Sequence, residues 1–141
     1  MNTHPELEVI TRTYDLIAWF LPTLSKMPKP YRFSAGARVE NLLFETLDNL
    51  LEAKYSRDKQ APLRRANLCI EKLRFTARLC SDLRLITLKQ YEFAARQLDA
   101  MGKSAGAWLA CAARGREKAD EPRVAGRVVE QQRQQPARVQ P

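Results

Sequence analysis

Ala66-Asn-Leu68-Cys69-Ile70-Glu-Lys72-Leu73-Arg74-Phe75-Thr-Ala77-Arg78-Leu79-Cys80 is the stretch whose reading decides the fold. At 100° per residue, Ala66, Cys69, Ile70, Leu73, Ala77 and Cys80 gather on one side of a helix, the seam expected of a helical bundle. Leu68, Phe75 and Leu79 fall nearly opposite. A lone bundle leaves three such side chains wet, whereas self-association or a protein partner buries them, so they are the expected oligomer interface.

Working outward, the helical period recurs on both sides of this stretch. Thr3-His4-Pro5-Glu6 has the form of a capping box with proline in the first turn, which starts a helix over about residues 5–27. Its apolar face is Val9, Ile10, Leu16, Ile17, Phe20, Leu21 and Leu24, and Pro22 should kink or open it near its end. Pro28-Lys-Pro30-Tyr31-Arg32-Phe33 reads as a loop, because a residue before proline is pushed toward extended backbone. Ser34 is the expected cap of a second helix, 35–57, with Val39, Leu42, Leu43, Thr46, Leu47 and Leu50 inward and Phe44, Leu51 and Tyr55 widening the stripe.

Pro62 suits the first turn of the third helix, 62–83. Thr87-Leu-Lys-Gln90 is a second capping box, opening a fourth helix over 88–113. Its inward face is Tyr91, Ala94, Ala95, Leu98, Met101, Ala105, Leu109 and Ala112, with Gly102 and Gly106 placed for a close helix approach. Beyond Arg114 the apolar period fails, and residues 114–141 read as a disordered Arg/Gln-rich tail. No strand pattern competes. The fold expected for residues 1–113 is all-α, an antiparallel up-down-up-down four-helix bundle.

A chain of 141 residues, 45% hydrophobic and with only 5 glycines, suits one domain built from few long elements. Catalysis finds little to work with: His4 is the only histidine, and there is no Ser-His-Asp set or phosphate loop. Glu40, Glu45, Asp48 and Glu52 lack the paired Glu-x-x-His motifs of a di-iron bundle and read as a solvated face. No enzyme, cofactor, metal or small-molecule substrate is expected. Cys69, Cys80 and Cys111 are odd in number, without CxxC spacing, and read as reduced core or groove residues. No run approaches the roughly 18 apolar residues of a membrane span, so a cytoplasmic protein without a membrane partner is expected.

Charge supplies the functional lead. Lys and Arg number 24 against 16 Asp and Glu, a net charge of +8 that favours polyanionic partners. The segment from Lys54 to Arg84 alone carries nine cations (Lys54, Arg57, Lys59, Arg64, Arg65, Lys72, Arg74, Arg78 and Arg84) against Asp58, Glu71 and Asp82. Arg64, Arg74 and Arg78 lie between the two apolar stripes on one side, Arg65 and Lys72 on the other. Repeated around an oligomer, such rows form a surface that holds phosphate backbone without reading sequence, so these nine residues are the candidate nucleic-acid contacts. The competing reading is an oligomeric protein-interaction scaffold whose charge only maintains solubility.

Several segments together resemble one family. Tyr14-Asp-Leu-Ile-Ala-Trp-Phe-Leu-Pro22, Tyr31-Arg-Phe33 with Gly36 and Arg38, Arg64-Arg-Ala-Asn-Leu68, Glu71-Lys-Leu-Arg74, Asp82-Leu83 and Gly102-x-x-x-Gly106-Ala-Trp108 resemble the accessory variability determinant (Avd) family over about residues 8–112. The resemblance implies a four-helix bundle forming a pentameric barrel. It also implies binding to template-repeat RNA and cDNA, and to the reverse transcriptase of a diversity-generating retroelement. In that role the protein supports adenine-mutagenic cDNA synthesis and retrohoming, and the polymerase supplies the chemistry. Ala107, where the family pattern has a second glycine before the tryptophan, and the tail after Arg114 depart from the pattern.

Overall fold

Four long helices carry the chain in the computed structural model, which describes the backbone of residues 4–139 and the side chains of residues 4–116. They are α1 (Pro5–Ser25), α2 (Ala37–Tyr55), α3 (Gln60–Asp82) and α4 (Leu88–Val139), with no strand among the described residues. Pro5 occupies the first turn of α1, Glu6 and Glu8 complement the positive end of its dipole, and His4 is the extended N-cap residue without a side-chain bond. The capping box expected on Thr3 lies outside the described residues. Pro22 sits inside the helix, which ends three residues later at Ser25.

The segment read as a loop is helical instead. Lys29–Tyr31 form a helical turn and Arg32–Gly36 a π turn that runs directly into α2. The physical reason is position: Pro28 is the extended N-cap residue and Pro30 falls in the first turn, where a missing N–H forfeits no intrahelical bond. Ser34 is therefore not the cap of α2 but part of the π turn, its hydroxyl donating to the carbonyls of Pro30 and Tyr31.

Both ends of the α3–α4 link are built by local sequence. The α3 C-terminus closes with Arg84 N–H donating to Ser81 O (2.9 Å) and Leu85 N–H to Cys80 O (2.8 Å), the paired bonds of a Schellman motif. Its left-handed position is Arg84, at φ 60°, where glycine is usual. The expected second capping box is present: Thr87 N–H donates to Gln90 Oε1 (2.9 Å), and Gln90 N–H to Thr87 Oγ1 (3.1 Å).

Contacts run antiparallel around the bundle. Arg12 lies against Gln97 and Trp19 against Phe93 between α1 and α4, while Arg65 reaches Asn49 and Glu52 between α3 and α2. The enclosed core holds Leu16, Phe20, Leu43, Leu50, Leu63, Ile70, Leu73, Leu98 and Met101, all essentially inaccessible. Each contributes roughly 1.5–3 kcal/mol by leaving water. Thr13 and Thr46 are buried too, their hydroxyls donating to the carbonyls of Val9 and Leu42 one turn back.

Phe44, Leu51 and Tyr55, expected to widen the inward stripe of α2, are exposed instead. They sit about 140–180° from Thr46, at the centre of the buried face, so helical geometry turns them outward. The bundle belongs to a compact unit ending at Leu109, and a second unit begins at Ala110. The backbone of α4 continues as helix to Val139 rather than stopping near residue 113. Ala, Glu, Gln and Arg are good helix formers even without an apolar face. Side chains beyond residue 116, on which most of the expected tail falls, lie outside the described residues.

Candidate nucleic-acid interface

Helix α3 presents two faces, as its sequence pattern requires. Ala66, Cys69, Ile70, Leu73, Ala77 and Cys80 are buried, while Leu68, Phe75 and Leu79 are 55%, 65% and 49% exposed. The nine candidate cations divide into those engaged within the fold and those directed away from it.

Three are engaged. Lys59 Nζ donates to the carbonyls of Ala53 (2.8 Å), Lys54 (3.2 Å) and Ser56 (3.0 Å), so it satisfies the C-terminus of α2. Arg65 Nε donates to Asn49 Oδ1 (2.9 Å), and its terminal nitrogen pairs with Glu52. Arg74 lies in the seam with α4, 3.6 Å from both Glu71 and Asp99. Gly102 makes room for it: a Cβ there would lie 2.5 Å from Arg74 Nη2. Arg74 Nε is buried and has no partner among the described residues. The close approach expected at Gly102 is therefore to a guanidinium, and a Cβ added at Gly106 would meet no other part of the described fold within 4 Å.

The other six point outward. Lys54 and Arg57 are exposed at the end of α2, with Lys54 Nζ 5.4 Å from the centre of the Tyr55 ring. Arg64, Lys72, Arg78 and Arg84 are exposed, and no ion pair holds any of them among the described residues. Arg64 makes only a 3.5 Å contact with Gln60 on its own helix. Four of the six outward cations thus follow the outer surface of α3 and its C-terminal link, and two sit at the end of α2.

A sequence model of the bAvd-like family matches residues 8–112. The chain belongs to that family. The match spans the stretch whose segments resemble the Avd family, so that resemblance is borne out. Searches of curated proteins and of solved structures gave no match. In this bAvd-like chain, no described helix is long and apolar enough to cross a membrane, and no metal-ligating cluster of three or more side chains occurs among the described residues. Cys69 and Cys80 are buried, whereas Cys111 is exposed, outside the core or groove setting expected for all three. Burial first, and then the Glu45 carboxylate, push the Cys69 thiol pKa up; burial pushes Cys80 up.

Sequence reasoning missed the surface at the opposite end of α2. Tyr31 and Phe33 are exposed on the turn before α2, at 41% and 77%. The available signal was two aromatics among Lys26, Lys29, Arg32 and Arg38 with no acidic residue between Asp15 and Glu40.

Proposed function

We propose that this bAvd-like chain is a non-catalytic accessory subunit of a diversity-generating retroelement, acting in the cytoplasm. It binds template-repeat RNA and cDNA through phosphate contacts and docks on the reverse transcriptase to support adenine-mutagenic cDNA synthesis and retrohoming. The observation that carries this reading is the set of outward cations without an ion pair on α3 and its link: Arg64 and Arg78 on one side of the exposed apolar stripe, Lys72 on the other, and Arg84 in the link. Such a set offers a polyanion several charge-assisted bonds without first breaking internal ion pairs.

Oligomerisation, as a homopentamer, completes the proposal. Phe44, Leu51 and Tyr55 on α2 repeat the spacing of Leu68, Phe75 and Leu79 on α3, and all six are exposed. Setting the α2 face of one copy on the α3 face of the next would bury both stripes in a head-to-tail contact of the kind that generates rings. An interaction scaffold without a nucleic-acid role would use the same stripes but leave the cations idle.

A filter-binding titration against RNA over a range of salt separates the two readings. Binding should weaken linearly with log salt and vary little with sequence. Arg64→Gln with Arg78→Gln should lower the slope against single-stranded RNA by about 1.4 per chain, whereas Lys59→Met should leave it unchanged. Wild-type slope and affinity in the double variant would overturn the mechanism.

A further inference from the structure

The turn before α2 combines rigidity with exposed aromatic surface. Pro28 and Pro30 restrict its backbone, Arg32 Nε donates to Met27 O (2.9 Å), and buried Gly36 lets the π turn close against Tyr31 O and Met27 Sδ. A Cβ at Gly36 would lie 3.3 Å and 3.5 Å from those atoms. On this fixed frame Phe33 is 77% exposed and Tyr31 41%. Hydrophobic collapse would bury these rings, and here the backbone ties hold the turn without doing so.

The surroundings narrow what covers them. Residues 26–38 contain Lys26, Lys29, Arg32 and Arg38 and no carboxylate. By the antiparallel order, the C-terminal end of α3 and the start of α4 share this end of the bundle, adding Arg84 and Lys89 against Asp82. A shallow pocket of about 500 Å³ there is lined by Ser81, Arg84, Leu85, Ile86, Thr87, Leu88 and Gln90. Arg84 occupies a left-handed position that glycine would fill without strain, which is the kind of outlier that points to a required side chain.

We infer that this end of the bundle is a docking site for single-stranded nucleic acid, with bases stacking on Phe33 and Tyr31 and phosphates held by Lys26, Lys29 and Arg84. Unpaired strands present both features the surface matches, free π faces and a polyanionic backbone. A duplex hides its base faces. A membrane surface asks for a broad amphipathic helical face, and this turn offers two rings. The inference rests on the nucleic-acid reading above but adds dependence on bases, which phosphate contacts along α3 do not confer.

The test uses the full chain and fluorescence anisotropy with three probes: a mixed-sequence single strand, an abasic strand of equal length, and the duplex. Wild-type protein should prefer the base-bearing strand to the abasic one by roughly 5- to 150-fold per stacked base. Phe33→Ala with Tyr31→Ala should erase that preference while retaining abasic binding, and Phe33→Trp should keep it. Equal binding of the two strands by the wild type, or an undiminished preference in the double alanine variant, would overturn the site and leave the α3 reading standing. Failure to bind even the abasic strand would remove both. Smaller oligomers for Phe33→Ala by light scattering, or loss of anionic-vesicle binding without a base preference, would reassign the turn to an interface or a membrane contact and also overturn the site.

Discussion

Replacing Arg84 by glycine should move stability and nucleic-acid binding in opposite directions. The Schellman bonds from Arg84 N–H to Ser81 O and from Leu85 N–H to Cys80 O fix the backbone at φ 60°, whatever the residue. For a residue with a Cβ that conformation costs about 1–2 kcal/mol. Glycine removes the cost but brings more unfolded-state freedom, worth about 0.5–1 kcal/mol against folding. The net gain is therefore between about 0 and about 1.5 kcal/mol, or up to several °C in Tm by calorimetry. The lost guanidinium should lower the salt dependence of binding by about one phosphate contact per chain. Arg84→Ala separates the two effects, keeping the strain while losing the same contact, so it should match glycine in binding but not in stability. A lower Tm for the glycine variant, or indistinguishable Tm values for the two, would refute the strain argument; unchanged binding in both would refute the contact.

Phe75→Glu should break the assembly while leaving each bundle folded, because residue 75 faces outward and its neighbours Leu68 and Leu79 lose their apolar partner surface; light scattering and circular dichroism read the two parts. A monomeric wild type at micromolar concentration would sink the oligomer. Thr87→Ala removes the hydroxyl that accepts the Gln90 N–H, and should cost about 1 kcal/mol in denaturant unfolding. The raised pKa values of Cys69 and Cys80 favour the neutral thiol in the folded state. Their contribution is full below the unfolded thiol pKa of about 8.5 and is lost as pH rises through the folded value, so unfolding free energy should fall on the alkaline side. Mild alkylation of native protein should modify Cys111 first, by mass spectrometry of its peptides, and faster labelling of Cys80 would contradict its burial.

Much of this architecture was legible because its signals are local. Thr87 and Gln90 name their own capping box, Pro62 marks the first turn of α3, and the two-sided pattern of α3 follows from spacing alone. Where the sequence misled, two arrangements shared one local rule. Proline excludes itself from helix interiors but is at home in a first turn, so Pro28 and Pro30 begin the helical segment that the X-Pro rule had assigned to a loop. Phe44, Leu51 and Tyr55 also kept a helical period, but period gives relative direction and not which side is inside. A helix apolar on two sides needs its neighbours to decide.

The candidate site was legible in its charge but not in its geometry. A helical wheel gives the direction in which a cation leaves the helix, not what it meets there. Arg65 meets Asn49 and Glu52 from α2, Arg74 meets Asp99 over a glycine on α4, and Lys59 folds back on three carbonyls. Moving Lys59 or Arg65 to a phosphate would first break hydrogen bonds to part-buried oxygens, and moving Arg74 would break two solvent-exposed ion pairs, so binding there would begin with a loss. That distinction changes a measurable quantity. Eleven phosphate contacts per chain to a single strand, the nine candidates with Lys26 and Lys29, would give a log–log salt slope of about −8, and the eight outward ones cap it at about −6. A measured slope per chain beyond that cap would mean the internal ties open on binding, and Arg74, the most weakly held of the three at 3.6 Å from each carboxylate, is where the opening would start.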